Sequence, residues 1–542
     1  MGRFCWRAKN GRNAIELCVP SRIFSEKGKQ KRLGVKQMIT SRKQKLFHCF
    51  CLIVSVVIIV HQYFNYKHPT TRSYHSDAST YRMPRDDKIF LSDWCRLQRS
   101  RVDWEGLVSS CRHKMAWKDR EMNFTNRTDA KKSFISRLEI KPQGEFNRFF
   151  IQSVTSDGNL KRTGGDSWRV YIRQGPASLA PMVTDNDDGT YEVMFLALEP
   201  GNYSAQVFLD YTLCDGFRDP PEDWFIKGNI HGYEQEHGIL GDISIDYINS
   251  PLQSGKSINI YIKESDKTKG FYRYNQRLRK GSGDTTLSEL SCNVDCSLLW
   301  DGFGRWIKRK WNLYIPEEDL TKRYHYQTMS KKLQTFCVYG DSMGVHYHKL
   351  AKSSPLCKEM FLECNNKYMW IYDAEWRGDD GKDFNQTIIL EEIKQILTRP
   401  EMTGNHSVFF FNVGIHYSLV LNFTTYRRLI QSLITLLKRD SLGSEASQIW
   451  RSSTAIEREH LKKLYAGDNL TKWRFHTSPR VQLFNKFATW AMCMAGIPVL
   501  DMYPLTATWP QGTRDHIHYS DDVIEPAVLA LESFLSKRFQ QL

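Results

Sequence analysis

The stretch QTFCVYGDSMGVHYH, residues 334–348, decides how the C-terminal half of the chain is read. Its apolar run, Phe336 to Tyr339, ends on Gly340-Asp341-Ser342. Consecutive apolar residues suit a strand buried on both faces, as in a parallel sheet. A serine just past such a strand is either part of an ordinary turn or a nucleophile held at a sheet edge. Further apolar runs follow at 368–373, 407–414, 473–477 and 496–502, with helical patterns between them. Ile389, Ile393, Ile396 and Leu397 share one helical face, and Leu429, Ile430, Leu433 and Leu437 another. Val528, Leu531, Phe534 and Leu535 mark a last helix. This alternation predicts an α/β domain over 331–542, with ligands bound beyond the carboxyl ends of its parallel strands. Ser342 lies at such an end.

A serine hydroxyl needs a neighbouring base to act as a nucleophile. Near the C-terminus, GTRDHIHYSDD offers Asp515 and His518, three residues apart, so one turn can set them side by side. Asn412 follows the apolar strand in FFFNVGIHY, where a side-chain amide can donate to a developing oxyanion. Each piece alone is common. The set is notable because each member falls at a strand end or before the final helix of one domain. The histidines also permit a metal reading, since His346 and His348, His516 and His518, and His416 supply ligand types suited to zinc. No glutamate stands at zincin spacing, and that reading leaves the serine unexplained.

The N-terminal half reads differently. Of the net charge of +16, residues 1–45 contribute thirteen Lys or Arg against two acidic residues. The remainder holds 63 basic and 58 acidic residues, too even a balance for a nucleic-acid partner. The basic tail meets LFHCFCLIVSVVIIVHQYF, residues 46–64, which lack Lys, Arg, Asp and Glu and approach the length of a membrane span. The positive-inside rule then predicts a cytosolic tail and a lumenal C-terminal bulk, a single-pass type II topology. Seven glycosylation sequons, at Asn123, Asn126, Asn202, Asn385, Asn405, Asn422 and Asn469, all follow the span. So do nine cysteines, an odd number that leaves at least one unpaired. Cys337 and Cys493 sit in apolar runs that suit buried thiols.

Residues 65–145 are expected to form a stem and lead-in, and 266–330 a linker into the α/β domain. Between them, 146–265 carry strand patterns. After the turn residues Asp188-Gly189, Tyr191, Val193 and Phe195 alternate with Glu192 and Met194. After Glu199-Pro200-Gly201, Tyr203, Ala205, Val207, Leu209 and Tyr211 line one face. Two such runs joined by glycine-bearing turns predict part of a β-sandwich.

Several motifs carry resemblances. Asn186, Asp188-Gly189-Thr190-Tyr191, Val193 and Pro200-Gly201 with Tyr203 resemble the filamin-type, immunoglobulin-like repeat. Gly340-Asp341-Ser342, the later Asn412 and the final Asp515 and His518 resemble the SGNH (GDSL-like) hydrolase superfamily, closest to its PC-esterase branch. Phe411, Asn412, Gly414 and His416 are similar to that branch's Asn block. DCSLLWDGFGRW, residues 295–306, is similar to its cysteine-and-tryptophan segment. The whole arrangement resembles the neurexophilin and PC-esterase domain (NXPE) family.

That resemblance implies a three-layer SGNH-like domain with Ser342, His518 and Asp515 as catalytic residues. Asn412 would serve the oxyanion, with Gly414 and Arg377 as further candidates beside it. It implies acyl transfer, most naturally O-acetyl transfer to a glycan or glycoprotein hydroxyl in the Golgi or secretory pathway. No bound cofactor is implied; an acyl donor such as acetyl-CoA would be a co-substrate. The alternatives are an O-acetyl esterase and a non-catalytic lumenal binding protein built on an esterase-like scaffold. The sequence does not set the oligomeric state.

Overall fold

A computed structural model describes residues 4–10, 13–19, 85–119, 124–222, 224–225, 235, 246–266, 270–280, 292, 294, 296–300, 302–315, 332–370, 384–439, 443–461 and 473–540. The chain divides into two units, Met1–Arg82 and Met83–Leu542. In the first, β1 (Phe4–Asn10) and β2 (Asn13–Val19) pair as an antiparallel hairpin. The expected span at 46–64 lies outside the described residues, among which no helix is long and apolar enough to cross a membrane.

The second unit opens with α1 (Arg85–Ser100) and continues into an antiparallel sandwich. One sheet orders β3 (Phe134–Glu139), β4 (Phe146–Gln152), β7 (Thr190–Leu196) and β6 (Met182–Asp185). The other orders β10 (Ile258–Ile262), β8 (Gly201–Tyr211) and β5 (Ser167–Gln174), with the short β9 (Ser250–Pro251) on β8. Tyr191, Val193 and Phe195 meet Val170, Val207 and Leu209 in the core between the sheets, as the alternation predicts. Glu192 and Met194, read as the outer face, are buried too. The reason is α1, which covers that face. Arg96 and Arg148 pair with Glu192 at 2.6 and 2.9 Å, and Met194 packs with Phe90 and Trp94. Within 65–145, expected to be a stem, therefore lie α1 and the first strand of the sandwich.

The short hairpin β11 (Gly304–Ile307) and β12 (Lys310–Leu313) joins the two modules, because Trp306 bridges Ser178 of the sandwich and donates its indole N–H to Leu505 O. The α/β domain is then built on five parallel strands: β13 (Leu333–Gly340), β14 (Phe361–Tyr368), β15 (Val408–Phe411), β16 (Ser447–Arg451) and β17 (Val499–Leu500). Their spatial order is β14-β13-β15-β16-β17. Helices α2 (Ser342–Ser353), α3 (Gln386–Leu397), α4 (Phe423–Leu437), α5 (Ser478–Met494) and α6 (Asp521–Gln540) cover it. The layers fall on opposite faces. Phe410 packs against Tyr347 of α2 with ring centres 4.6 Å apart, while Tyr339 donates to Glu392 of α3 at 3.1 Å.

Two strand expectations need correction, and one strand was not expected. The run at 368–373 is preceded by the actual strand β14, whose polar sequence FLECNNKY suits an exposed edge. Residues 473–477 form turns, not a strand. The strand that replaces them in the sheet, β16, reads SQIWR and was not legible as one.

Among the described residues, four disulfides join Cys95 to Cys292, Cys111 to Cys214, Cys296 to Cys493 and Cys357 to Cys364. Cys493 is thus bonded rather than a buried thiol. Cys337 is free and buried, and burial pushes its thiol up to about 11, which leaves it unreactive at neutral pH. The five described sequon asparagines, Asn126, Asn202, Asn385, Asn405 and Asn422, are all exposed. Asn385 and Asn422 also cap α3 and α4, accepting from Thr387 N–H and Thr425 N–H. Asn123 and Asn469 lie outside the described residues.

Candidate functional site

Strand β13 ends at Gly340, whose φ of +151° and closeness to the carbonyl of Asn412 both require glycine; an added Cβ would stand 3.0 Å from that oxygen. The sharp turn that follows places Asp341 as N-cap of α2. Its carboxylate accepts from Met343 N–H at 3.0 Å and Gly344 N–H at 3.2 Å. Ser342 is the first helical residue. Its own N–H falls among those that a helix start leaves without an intrahelical acceptor, and it lies at the positive end of the helix dipole.

The loop before α6 brings the base. His518 Nε2 stands 2.8 Å from Ser342 Oγ, and His518 Nδ1 stands 2.6 Å from Asp515 Oδ2. With Nδ1–H donated to the carboxylate, Nε2 accepts from the serine hydroxyl. The other carboxylate oxygen, Asp515 Oδ1, accepts three main-chain N–H groups, from His516 at 2.6 Å, Ile517 at 2.7 Å and His518 at 2.9 Å. Burial works against the charge on Asp515, but the hydrogen bonds from the His518 ring and these amides overcome it and hold the carboxyl far below its usual range. The hydrogen bond to Asp515 in turn raises His518 above its ordinary value, against partial burial. Ser342, Asp515 and His518 are only partly buried, so the group opens to the surface.

Asn412 lies at the neighbouring strand end, where its N–H donates to Tyr339 O at 3.0 Å. Its side chain takes partners at the end of β16. The Nδ2 group donates to Arg451 O at 2.6 Å and lies 3.5 Å from Ser453 Oγ. Among the described residues no hydrogen bond joins it to Ser342, and its amide is held by the end of β16. Gly414 is a packing position: an added Cβ would collide with Ser453 Oγ. Arg377 lies outside the described residues. The histidines of the two His-x-His pairs take separate partners. His346 bonds to Asp521 at 2.7 Å, and His348 to Cys364 O at 3.2 Å. His516 packs edge-on to Trp473, and burial pushes it down to about 4.

One residue with no sequence signal is Arg451. It ends β16 beneath the nucleophile turn, and its guanidinium lies 3.1 Å from Asp341 Oδ1. A cavity of about 570 Å³ lies where the sandwich meets the α/β domain, lined in part by Arg173, Glu457, Lys486, Tyr503 and Tyr519. Ser342 does not line it, so it is not the space from which that hydroxyl would reach a substrate.

Residues 127–215 match the filamin/ABP280 repeat, so the chain contains a filamin-type domain, followed by the α/β domain. Among solved structures, the Lin-41 filamin domain is similar at 13% identity, covering 26% of this chain and all of that one, with a TM-score of 0.17. Domains 4 and 5 of the S-layer protein SbsC are similar at 15% identity over 16% of this chain and 47% of that one, with a TM-score of 0.13.

Proposed function

We propose that the α/β domain is a serine-dependent acyl-transfer enzyme, an O-acetyltransferase acting on glycan hydroxyls. The observation that carries this reading is the continuous chain from Ser342 Oγ through the His518 ring to Asp515, at 2.8 and 2.6 Å. In the reaction, His518 Nε2 takes the Ser342 proton as Oγ attacks the acyl carbonyl. Ser342 N–H, at the start of α2, stabilises the oxyanion. The intermediate collapses, the donor's leaving group departs with the proton from His518, and an acyl-serine remains. An acceptor hydroxyl then gives its proton to His518 and attacks the ester, and His518 returns that proton to Ser342 Oγ as the acyl–serine bond breaks, which regenerates Ser342 and neutral His518. Water in place of the sugar would make the protein an esterase.

The resemblance to PC-esterase and NXPE sequences favours a glycan acceptor, as does the partly open site. The basic tail, the apolar 46–64 run and the one-sided sequons support a type II anchor in the Golgi or secretory pathway, with this domain lumenal. An activated acetyl group, as in acetyl-CoA, would be the donor.

The test is incubation with an isotopically labelled acetyl donor, followed by mass spectrometry of the peptide bearing Ser342. Label on Ser342 is expected; its absence across thioester and ester donors would refute the reading. One observation favours a second reading, an esterase-like scaffold that only binds: the Asn412 amide is committed to Arg451 O. On that reading the peptide stays unlabelled while ligands still bind.

A pH dependence follows from His518. It acts as a base only when neutral, and its folded value is raised above 6.5. Acyl-serine formation is therefore expected to rise with pH through a midpoint above that of free imidazole. Initial rates across the acid limb check this, and a midpoint well below 6 would contradict the Asp515 contact.

A further inference from the structure

We propose that the filamin-type module is a positioning element of the active site, acting on the catalytic loop through the carboxylate of Glu457. This rests on the reading of Ser342, His518 and Asp515 given above. Strand β5 sends alternate side chains to opposite sides. Trp168, Val170 and Ile172 enter the sandwich core, and Arg169, Tyr171 and Arg173 leave it toward the α/β domain. There they meet a short turn that carries two glutamates. Arg169 Nη1 and Tyr171 OH donate to Glu459 Oε1 at 2.7 and 2.8 Å, and Arg173 pairs with Glu457 Oε1.

The same turn grips the loop that carries the catalytic pair. Glu457 Oε2 accepts Thr513 N–H at 3.0 Å, and Glu457 N–H donates to His516 O at 3.0 Å. His460 Nδ1 stands 3.1 Å from Thr513 Oγ1, which donates to Asp515 O, also at 3.1 Å. One carboxylate thus holds a sandwich arginine with one oxygen and the catalytic loop with the other. Its side chain is only 5% exposed, so water cannot readily replace the arginine as its partner. Without Arg173, Glu457 would lose the partner that fixes one of its oxygens and be free to move, and Thr513 would lose a fixed acceptor. Thr513 lies two residues before Asp515, so the slack falls on the ring that faces Ser342. A misplacement of about 1 Å at such a ring can cost about 100-fold in rate.

The experiment compares Arg173→Ala, Arg173→Lys and Glu457→Gln in the full chain, each checked for folding by near-UV circular dichroism. Two readouts are taken: acyl transfer split into kcat and KM, and the downfield Nδ1–H proton resonance of His518, assigned by its loss in His518→Ala. Arg173→Ala is expected to lower kcat about tenfold or more with the donor KM little changed, and to shift or broaden that resonance. Arg173→Lys is expected to recover most of both. The Arg173→Ala/Glu457→Gln double variant is expected to cost less than the two single losses combined. A folded Arg173→Ala with wild-type kcat and resonance overturns the proposal. Should Arg173→Ala not fold, Glu457→Gln, which keeps the side-chain shape, decides by the same two readouts. If the wild type transfers no acyl group, the enzymatic reading fails alone, and the resonance still reports on the clamp.

Discussion

Ser342→Ala is expected to remove acyl transfer, with a loss in kcat of about 10⁴ to 10⁶. The loss should not come from unfolding. Asp341, not Ser342, caps α2 by accepting from Met343 and Gly344, so the helix start survives loss of the hydroxyl. Ser342 is also only partly buried and lies outside the main core. The melting temperature is therefore expected to stay within a few degrees of wild type. His518→Ala should lose a similar factor, and the double variant no more than either, because a nucleophile and its base act as one unit. Asp515→Asn is expected to lose about 10⁴ by a different route. Its amide oxygen can still accept the N–H groups of His516, Ile517 and His518, but its NH₂ would face His518 Nδ1 and favour the wrong tautomer. Single-turnover rates with a labelled donor check all four variants. Wild-type turnover in folded Ser342→Ala would place the chemistry elsewhere.

The strongest sequence features were those in which local chemistry and burial agree. Strand β13 is buried on both faces, so its residues read as an apolar run, and Gly340 marks the turn that only glycine can make. Asp515 and His518 were legible because three residues suffice to bring a ring to a carboxylate. The sandwich runs were legible because their core faces alternate. Legibility failed where a partner from elsewhere in the chain changes what a position means. Glu192 looks like an outer-face residue until α1 supplies Arg96 to cover it. Strand β14 is polar because it is an edge. Strand β16 carries a buried arginine that sequence alone assigns to a surface. Asn412 was placed at the right strand end, but its rotamer is set by Arg451 O and Ser453, neither of which a motif reveals.

Arg451 leads to the largest stability effect expected in the α/β domain. Its side chain is 2% exposed and that of Asp341 5%, so the pair sits in a medium that screens charge weakly. Removing one partner leaves the other charged and buried, which typically costs about 3–5 kcal/mol, whereas removing both often costs far less. Arg451→Met keeps most of the apolar stem but leaves the Asp341 carboxylate, among the described residues, with the N–H groups of Met343 and Gly344 as its hydrogen-bond donors. Urea unfolding is expected to show a midpoint lowered by that free energy divided by the slope, with the slope unchanged. Adding Asp341→Asn, which retains a cap acceptor, is expected to return part of the loss. Failure of the second substitution to recover any stability would mean that Arg451 matters for packing rather than charge. The same cycle carries a functional consequence. Asp341 fixes the first turn of α2, and Ser342 presents both its hydroxyl and its N–H from that turn. Arg451→Met is therefore expected to slow acylation even at temperatures where the protein remains folded, and Arg451→Met/Asp341→Asn to slow it less. A chain that bound its ligand without turning it over would show the stability cycle and no kinetic counterpart.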